Sequence, residues 1–350
     1  MSTERTTKGL LERLDEGPVI CAEGYLFEFE RRGYLQAGAF VPEIVLEHPD
    51  LVEGLHREFV HAGSDIVEAF TYYGHREKLR IIDKEHLLEP LNKGALDLAT
   101  KVARDTGTLA AGNLCNTNAF GPDAESRAAV RAMFEEQVGW MVEAGVDLII
   151  GETFSWGEEA LMALDVIKET GLPSVITLSI HRAPEVREGW SPEETCKRLA
   201  DAGADVVGLN CIRGPQTMLP LMAAIREAVD CHVAAVPVPY RTSDAEPSFQ
   251  SLTDDACTCE IPGGRPFPTA LDPLQTNRYE IAEFASAAHA LGVNYLGVCC
   301  GNAPHFTRSM AEALGRTPAA SRYSPDMSKH AFLGTDQKLK EHNQAYAKEL

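Results

Sequence analysis

Ala144-Gly145-Val146-Asp147-Leu148-Ile149-Ile150-Gly151 reads as the end of one helix, a glycine-closed turn and the start of a buried strand. The same lead-in recurs as Ala62-Gly63-Ser64-Asp65 and Ala202-Gly203-Ala204-Asp205, with Leu291-Gly292-Val293-Asn294 a close variant. In each, glycine can end a helix in a left-handed cap before a short turn feeds the strand. Upstream of the first quoted stretch, Val130, Met133, Phe134, Val138, Met141 and Val142 fall at helical spacing, predicting an amphipathic helix over 128–144.

Working outward, short apolar runs recur at 18–21, 65–70, 108–112, 147–151, 174–178, 205–209, 232–236 and 295–299. They are rich in Val, Ile and Leu and hardly alternate, as expected of parallel strands buried on both faces. Eight strands alternating with helical segments imply a closed (β/α)8 (TIM) barrel. Residues 1–315 are assigned to this barrel and 316–350 to a polar C-terminal extension. The long segment 241–275, rich in Ser, Thr, Asp, Pro and Gly, is expected to be a functional lid or a disordered loop.

Composition narrows the function classes. Of 350 residues, 44% are hydrophobic, enough for a sizeable core, and the formal net charge is −20. That charge argues against nucleic acid or an anionic membrane as partner and speaks first to solubility. The N-terminal stretch lacks the apolar core of a signal peptide, and no run approaches the ~18 apolar residues of a membrane span. Nine cysteines, an odd number, fit reduced thiols in a cytoplasmic protein better than a disulfide framework.

Two cysteine groups fall where barrel chemistry gathers, at the C-terminal ends of strands. Gly208-Leu209-Asn210-Cys211 closes the sixth run, and Gly297-Val298-Cys299-Cys300-Gly301 closes the eighth. Adjacent strand residues point to opposite faces, so Cys299 and Cys300 can share a metal only where the strand breaks. Gly297 and Gly301 permit that break. Three thiolates leave a tetrahedral zinc with one open position, which suits holding a substrate thiol as thiolate rather than polarising a carbonyl. Buried apolar packing is the competing reading of any single cysteine. Cys257-Thr258-Cys259 is read as incidental thiols. Arg213 is either a carboxylate-binding residue or a surface arginine, Asn210 a residue that steadies a ligand, and His305 part of a helix start.

The Gly-x-Asn-Cys and Gly-x-Cys-Cys-Gly pair resembles the homocysteine S-methyltransferase family, most of all its betaine-using branch. The likeness runs from Gly9-Leu10-Leu11-Glu12-Arg13-Leu14 through Arg32-Gly33-Tyr34 and His56-Arg57-Glu58-Phe59 to the cysteine pair. It implies methyl transfer from a small onium donor, such as glycine betaine, to the thiol of homocysteine, giving methionine, with Zn2+ on Cys211, Cys299 and Cys300. Residue by residue it implies that Glu152 holds the homocysteine ammonium and that Tyr73 and Phe40 face the donor cation, with Glu152 and Tyr73 contributing to catalysis. A family Asp-Gly turn reads Ala22-Glu23-Gly24 here, and Glu23 is expected to reach back to the substrate. The alternatives are a sulfonium donor (dimethylsulfoniopropionate or S-methylmethionine) or a zinc-bearing barrel without turnover. The donor, the acceptor and a homo-oligomeric state are left open.

Overall fold

The computed structural model describes residues 8–258 and 264–349. Its eight strands are β1 (Val19–Ala22), β2 (Ile66–Glu68), β3 (Leu109–Cys115), β4 (Leu148–Phe154), β5 (Ser174–Leu178), β6 (Val206–Asn210), β7 (His232–Val236) and β8 (Tyr295–Val298). They pair in sequence order, all parallel, and β8 pairs with β1 to close the barrel. Helices lie between successive strands, so the architecture is the (β/α)8 barrel expected from the sequence. Every residue of β3 and β4 is buried, which is why these strands do not alternate.

The recurrent lead-in has a second purpose besides ending helices. Asp65 Oδ2, ahead of β2, accepts the Ile20 N–H of β1 at 2.8 Å. Asp147 ahead of β4 accepts Ala110 N–H of β3, and Asp205 ahead of β6 accepts Ser174 N–H of β5, both at 2.8 Å. Asn294 ahead of β8 accepts Val233 N–H of β7 at 3.4 Å. Each even-numbered strand thus pins the start of the odd-numbered strand before it, satisfying a backbone donor at the barrel's lower rim.

The helix Ala124–Ala144 starts on Asp123, whose side chain accepts Ser126 N–H at 2.8 Å. It buries Val130, Met133, Phe134, Val138 and Met141. Val142, placed on that face by its spacing, is 51% exposed because it has turned past the apolar stripe.

The segment after β7 is ordered over its described part. Phe249 and Leu252 are buried, and Phe249 packs against Tyr240, Phe27 and Phe267 with ring centroids 5.9, 6.0 and 5.0 Å apart. This aromatic cluster folds the loop over the C-terminal mouth of the barrel. Beyond the last barrel helix (Pro304–Ala313), Arg316 pairs with Asp65 at 2.6 Å, and short turns follow. The extension, which also carries the short helices Gln337–His342 and Gln344–Ala347, exposes Tyr323, Met327, Leu333 and Tyr346 among its polar residues. Among the described residues no helix is long and apolar enough to cross a membrane.

Candidate active site

Cys211 directly follows β6, and Cys299 and Cys300 directly follow β8, where the strand has already ended. The break places the three sulfur atoms within 4.8 Å of one another, with Cys299 Sγ and Cys300 Sγ 4.0 Å apart. Backbone conformation produces this convergence. Cys211 and Ile212 both take left-handed φ values, 56° and 58°, so the chain doubles back after β6. Gly24 lies against the eighth strand end: a Cβ there would stand 2.2 Å from the Cys299 carbonyl oxygen, and φ is +81°. Gly301 is likewise left-handed, whereas Gly297 stays within β8 and is needed for its close approach to the Cys21 carbonyl.

The trio fits a thiophilic divalent ion. Tetrahedral bonds of ~2.3 Å to sulfur require sulfurs ~3.8 Å apart, near the spacing seen here. Hydrogen bonds from the Cys299 and Cys300 thiols hold the Cys211 thiol well below its ordinary pKa, while contact with Cys211 and burial push Cys299 and Cys300 well above theirs. The protein's own groups thus settle one negative charge on the cluster, at Cys211.

Beneath the sulfurs lie three buried carboxylates, two of which the sequence had singled out. Glu152, in β4, accepts Asn113 Nδ2 at 2.7 Å, Asn210 Nδ2 at 2.7 Å and the Thr153 hydroxyl at 3.1 Å. Burial, before any other cause, pushes its pKa up to about 7. Glu23 sits within 4.8 Å of Glu152 and Cys299, 1% exposed, and neither carboxylate oxygen has a hydrogen-bond partner among the described residues. The third, Glu68 at the end of β2, accepts the other Asn113 Nδ2 proton at 2.7 Å. Burial and then the Glu152 charge raise Glu68 well above the usual carboxylate range, and burial and the Glu68 charge do so for Glu23. Sequence reading passed over Glu68, although an acid inside the apolar run Ile66-Val67-Glu68-Ala69-Phe70 was the available signal. Glu68, Asn113, Glu152 and the three cysteines line a narrow pocket of about 20 Å³.

A second, larger cavity of about 200 Å³ opens outward from the same sulfurs. Phe27, Phe40, Tyr72, Tyr73, Phe249 and Phe267 line it, with Cys211 and Cys300 at its base. Tyr72 and Thr153 border both cavities. Phe40 and Tyr73 are thus brought to one wall, but they are not equivalent. The Lys78 ammonium already lies 4.3 Å from the Tyr73 ring centroid, so one face of that ring is occupied by a cation. Among the described residues, seven non-glycine residues have positive φ, and six of them (Phe40, Tyr73, Asn118, Thr153, Cys211 and Ile212) line this cavity. Such conformations each cost of order 1 kcal/mol and tend to gather at functional sites.

Other sequence expectations fare differently. Arg213 is not a surface residue. It is 6% exposed, and its guanidinium donates to the carbonyls of Ile180, His181 and Arg182 at 3.0, 2.6 and 3.2 Å. Asn210 donates to Glu152 at 2.7 Å but stands 4.0 Å from Cys299 Sγ, so it steadies the carboxylate more than the thiol. His305 begins the helix Pro304–Ala313 and stacks on Phe306, outside the sulfur cluster. Among the described residues seven cysteines are free thiols, but Cys257 is disulfide-bonded, which corrects its reading as an incidental thiol. Cys259 lies outside the described residues.

A barrel with three convergent cysteines above buried acids and beside an aromatic chamber defines a thiol-handling group-transfer enzyme. Comparison with known proteins specifies it. Residues 24–314 match the model of the family described as homocysteine S-methyltransferase. Betaine–homocysteine S-methyltransferase 1 of Xenopus tropicalis is 35% identical over 346 residues, 96% of this chain and 82% of that protein. The S-methylmethionine–homocysteine S-methyltransferase of Mus musculus is 33% identical over 338 residues, 95% of this chain and 87% of that one. In the solved structures, the metallated form of the Escherichia coli homocysteine methyltransferase MmuM superposes with a TM-score of 0.68 at 16% identity. That match covers 87% of this chain and 99% of the other, and it bears on the fold. The chain belongs to the homocysteine S-methyltransferase family and is an S-methyltransferase.

Proposed function

We propose that this chain transfers a methyl group from a small onium donor to the sulfur of homocysteine, releasing methionine. One observation carries the reading: an acid-lined pocket and an aromatic-lined cavity meet at the same sulfur atoms. An amino-thiol acceptor suits the first and a cationic methyl donor the second, so the reacting groups approach from opposite sides. Cys211, Cys299 and Cys300 would hold a zinc ion. Bound there, zinc supplies the Lewis acidity that brings a thiol, ordinarily near pKa 8.5, to thiolate at neutral pH.

The protein's own groups then have separate tasks. Glu152 and Glu23 take the acceptor's ammonium, and Asn113 and Asn210 fix the orientation of Glu152. Glu68, held by the same Asn113, completes the acidic floor. Phe40, Tyr72 and the free face of Tyr73 take the onium head through cation–π attraction. Phe249 and Phe267, from the loop after β7, exclude water from the donor. The thiol proton leaves to solvent when the acceptor binds. The sulfur lone pair attacks the methyl carbon, and the carbon–onium bond breaks with its electron pair on the departing amine or sulfide. Rate acceleration comes from alignment and thiolate formation. Nitrogen and sulfur onium donors both satisfy this scheme, and the aromatic wall does not separate them.

The test is methyl transfer to homocysteine from glycine betaine, dimethylsulfoniopropionate and S-methylmethionine, followed by mass spectrometry, with metal analysis of the same protein. Turnover with at least one donor and about one zinc per chain is expected. Cys211→Ser should lose the metal and lower turnover by about 10³-fold or more. Metal content and turnover that survive this substitution refute the proposal.

A further inference from the structure

One ring of the aromatic wall already carries a cation of the protein's own. Lys78 Nζ stands 4.3 Å from the Tyr73 ring centroid. Tyr73 lines the main cavity and Lys78 does not, so the ammonium sits behind the wall rather than inside the chamber. Among the described residues a lysine or arginine also lies over Phe120, Trp156, Trp190 and Tyr323. None of those rings borders this cavity, so the contact at Tyr73 alone touches the donor wall.

Local structure builds the contact. Tyr73 takes a left-handed φ of 59°, and its N–H donates to Cys115 Sγ at 3.3 Å, which fixes the backbone that carries the ring. The ring itself is packed between Tyr72 and His75, with centroids 4.4 and 6.2 Å away, and its hydroxyl accepts Asn118 Nδ2 at 3.4 Å. The chain then enters the helix Arg76–Arg80, where His75 Nδ1 accepts the Lys78 N–H at 3.3 Å. That cap points the Lys78 side chain back over Tyr73. The charged residues beside it are engaged elsewhere: Glu77 pairs with Arg80, and Arg76 with Glu136. Lys78 is half-buried, and burial, before any other cause, lowers its pKa. Its charge is thus held against a desolvation cost, with the face of Tyr73 in place of a carboxylate.

We infer that Lys78 tunes the donor site from behind: its ammonium on the outer face of Tyr73 opposes the onium head on the inner face until methyl transfer removes the donor's charge. The inference rests on the donor reading above. A ring attracts a cation through the negative potential of its face, and a charge on the opposite face cancels part of that potential. Two unit charges separated by about twice the 4.3 Å seen here repel enough to weaken binding by up to about tenfold. When the carbon–onium bond breaks, its electron pair stays on the departing amine or sulfide, so the positive charge is consumed in the step itself. The repulsion is full in the bound donor, smaller in the transition state and absent in the product. The thiolate loses its charge in the same step, but it lies at the base of the cavity, and Cys115 is the one thiol that bears on the Lys78 charge. Lys78 therefore raises the bound donor more than the transition state, and so raises KM and kcat together. It acts through Tyr73, as a positioning residue rather than a catalytic one.

The test compares two ligands of one shape on the full chain by titration calorimetry: glycine betaine and 3,3-dimethylbutyrate, in which carbon replaces the charged nitrogen. Lys78→Met should raise the preference for betaine over its neutral-headed twin by about 3–10-fold. Lys78→Arg, which keeps the charge, should leave the preference as in the wild type, and Lys78→Glu should raise it beyond the methionine variant. A loss of packing alone would weaken both ligands alike and leave the ratio unmoved. In steady-state assays with whichever donor the wild type turns over, Lys78→Met should lower the donor KM by about 3–10-fold and kcat by about 2–3-fold. An unchanged or smaller preference in Lys78→Met and Lys78→Glu, or a donor KM that rises while kcat falls, overturns the assignment of Lys78 alone. A wild-type protein that binds neither ligand and turns over no onium donor overturns the donor reading, and this inference with it.

Discussion

The two ends of the barrel obey opposite rules. At the lower end, where strands begin, Asp65, Asp147, Asp205 and Asn294 each satisfy a backbone N–H of the preceding strand. At the upper end, six non-glycine residues are bent into left-handed conformations, and Glu23 is buried with two unpartnered oxygens. The lower end maximises satisfied hydrogen bonds. The upper end holds unpartnered acid and strained backbone. A substitution should therefore have opposite consequences at the two ends: relaxing the upper one strengthens the fold and weakens function, while cutting a pin at the lower one weakens the fold alone.

Among substitutions that separate the two ends, the largest expected effect is at Glu68. A carboxylate whose folded pKa is raised contributes stability that is fully present below the unfolded value, here 4.5, and lost as pH rises through the folded value. At pH 8 Glu68→Gln should accordingly raise Tm, by about 2 °C for about 1 kcal/mol, since the amide oxygen still accepts from Asn113. The same change should raise KM for homocysteine by about tenfold or more, by weakening the acidic floor. Thermal melts at pH 5 and pH 8, beside KM measurements, decide it. A Tm that falls while KM is unchanged would make Glu68 a packing residue and erase the contrast.

The lower end was the more legible in the sequence, for a physical reason. Its Ala-Gly-x-Asp lead-ins repeat because a helix stop, a turn and a strand pin are local requirements met by adjacent residues. The upper end assembles side chains from separate strands, and the residues that do chemistry interrupt the apolar pattern used to find those strands. β3 and β4 run on to Cys115 and Phe154, past the runs ending at 112 and 151, because Asn113, Glu152 and Thr153 are polar yet buried. Cys211, Cys299 and Cys300 were singled out by their place at two strand ends taken together with the family resemblance. Glu23 was legible as an acid displaced by one residue, but its approach to Glu152 needed the turn at Gly24. Glu68 drew no reading, although it interrupts an apolar run, because its partners Asn113 and Glu152 come from other strands.

A smaller effect is expected from cutting one pin. Asp205 Oδ2 accepts both the N–H and the hydroxyl of Ser174, at 2.8 and 3.0 Å. Asp205→Ala leaves a strand-end donor to water or to nothing and should cost about 1–2 kcal/mol, read from urea unfolding. KM for either substrate should stay within about twofold, because β5 is held along its length by β4 and β6. A change in KM comparable to that of Glu68→Gln would show that the two ends are not separable.

The smallest effect tests what lies between them. His56, on the helix Pro49–Ala62, is buried with neither ring nitrogen hydrogen-bonded among the described residues. Its ring meets Tyr25 edge-on, centroids 5.0 Å apart, and the Tyr25 hydroxyl donates to the Ala22 carbonyl just before Glu23. Burial, first among the causes, lowers its pKa from 6.5 to about 4. A histidine whose folded pKa is depressed contributes stability that is complete above about pH 6.5 and is lost as pH falls toward the folded value. Between pH 8 and pH 6 this one residue should therefore cost the wild type about 0.8 kcal/mol. Over that range the buried carboxylates act in the opposite sense, so total stability does not isolate it. The informative quantity is the difference between wild type and His56→Phe at the two pH values, which should shrink by that amount at pH 6. A difference independent of pH would mean that His56 stays solvated enough to protonate freely, and that the ring beneath the Glu23 turn is less firmly packed than its burial indicates.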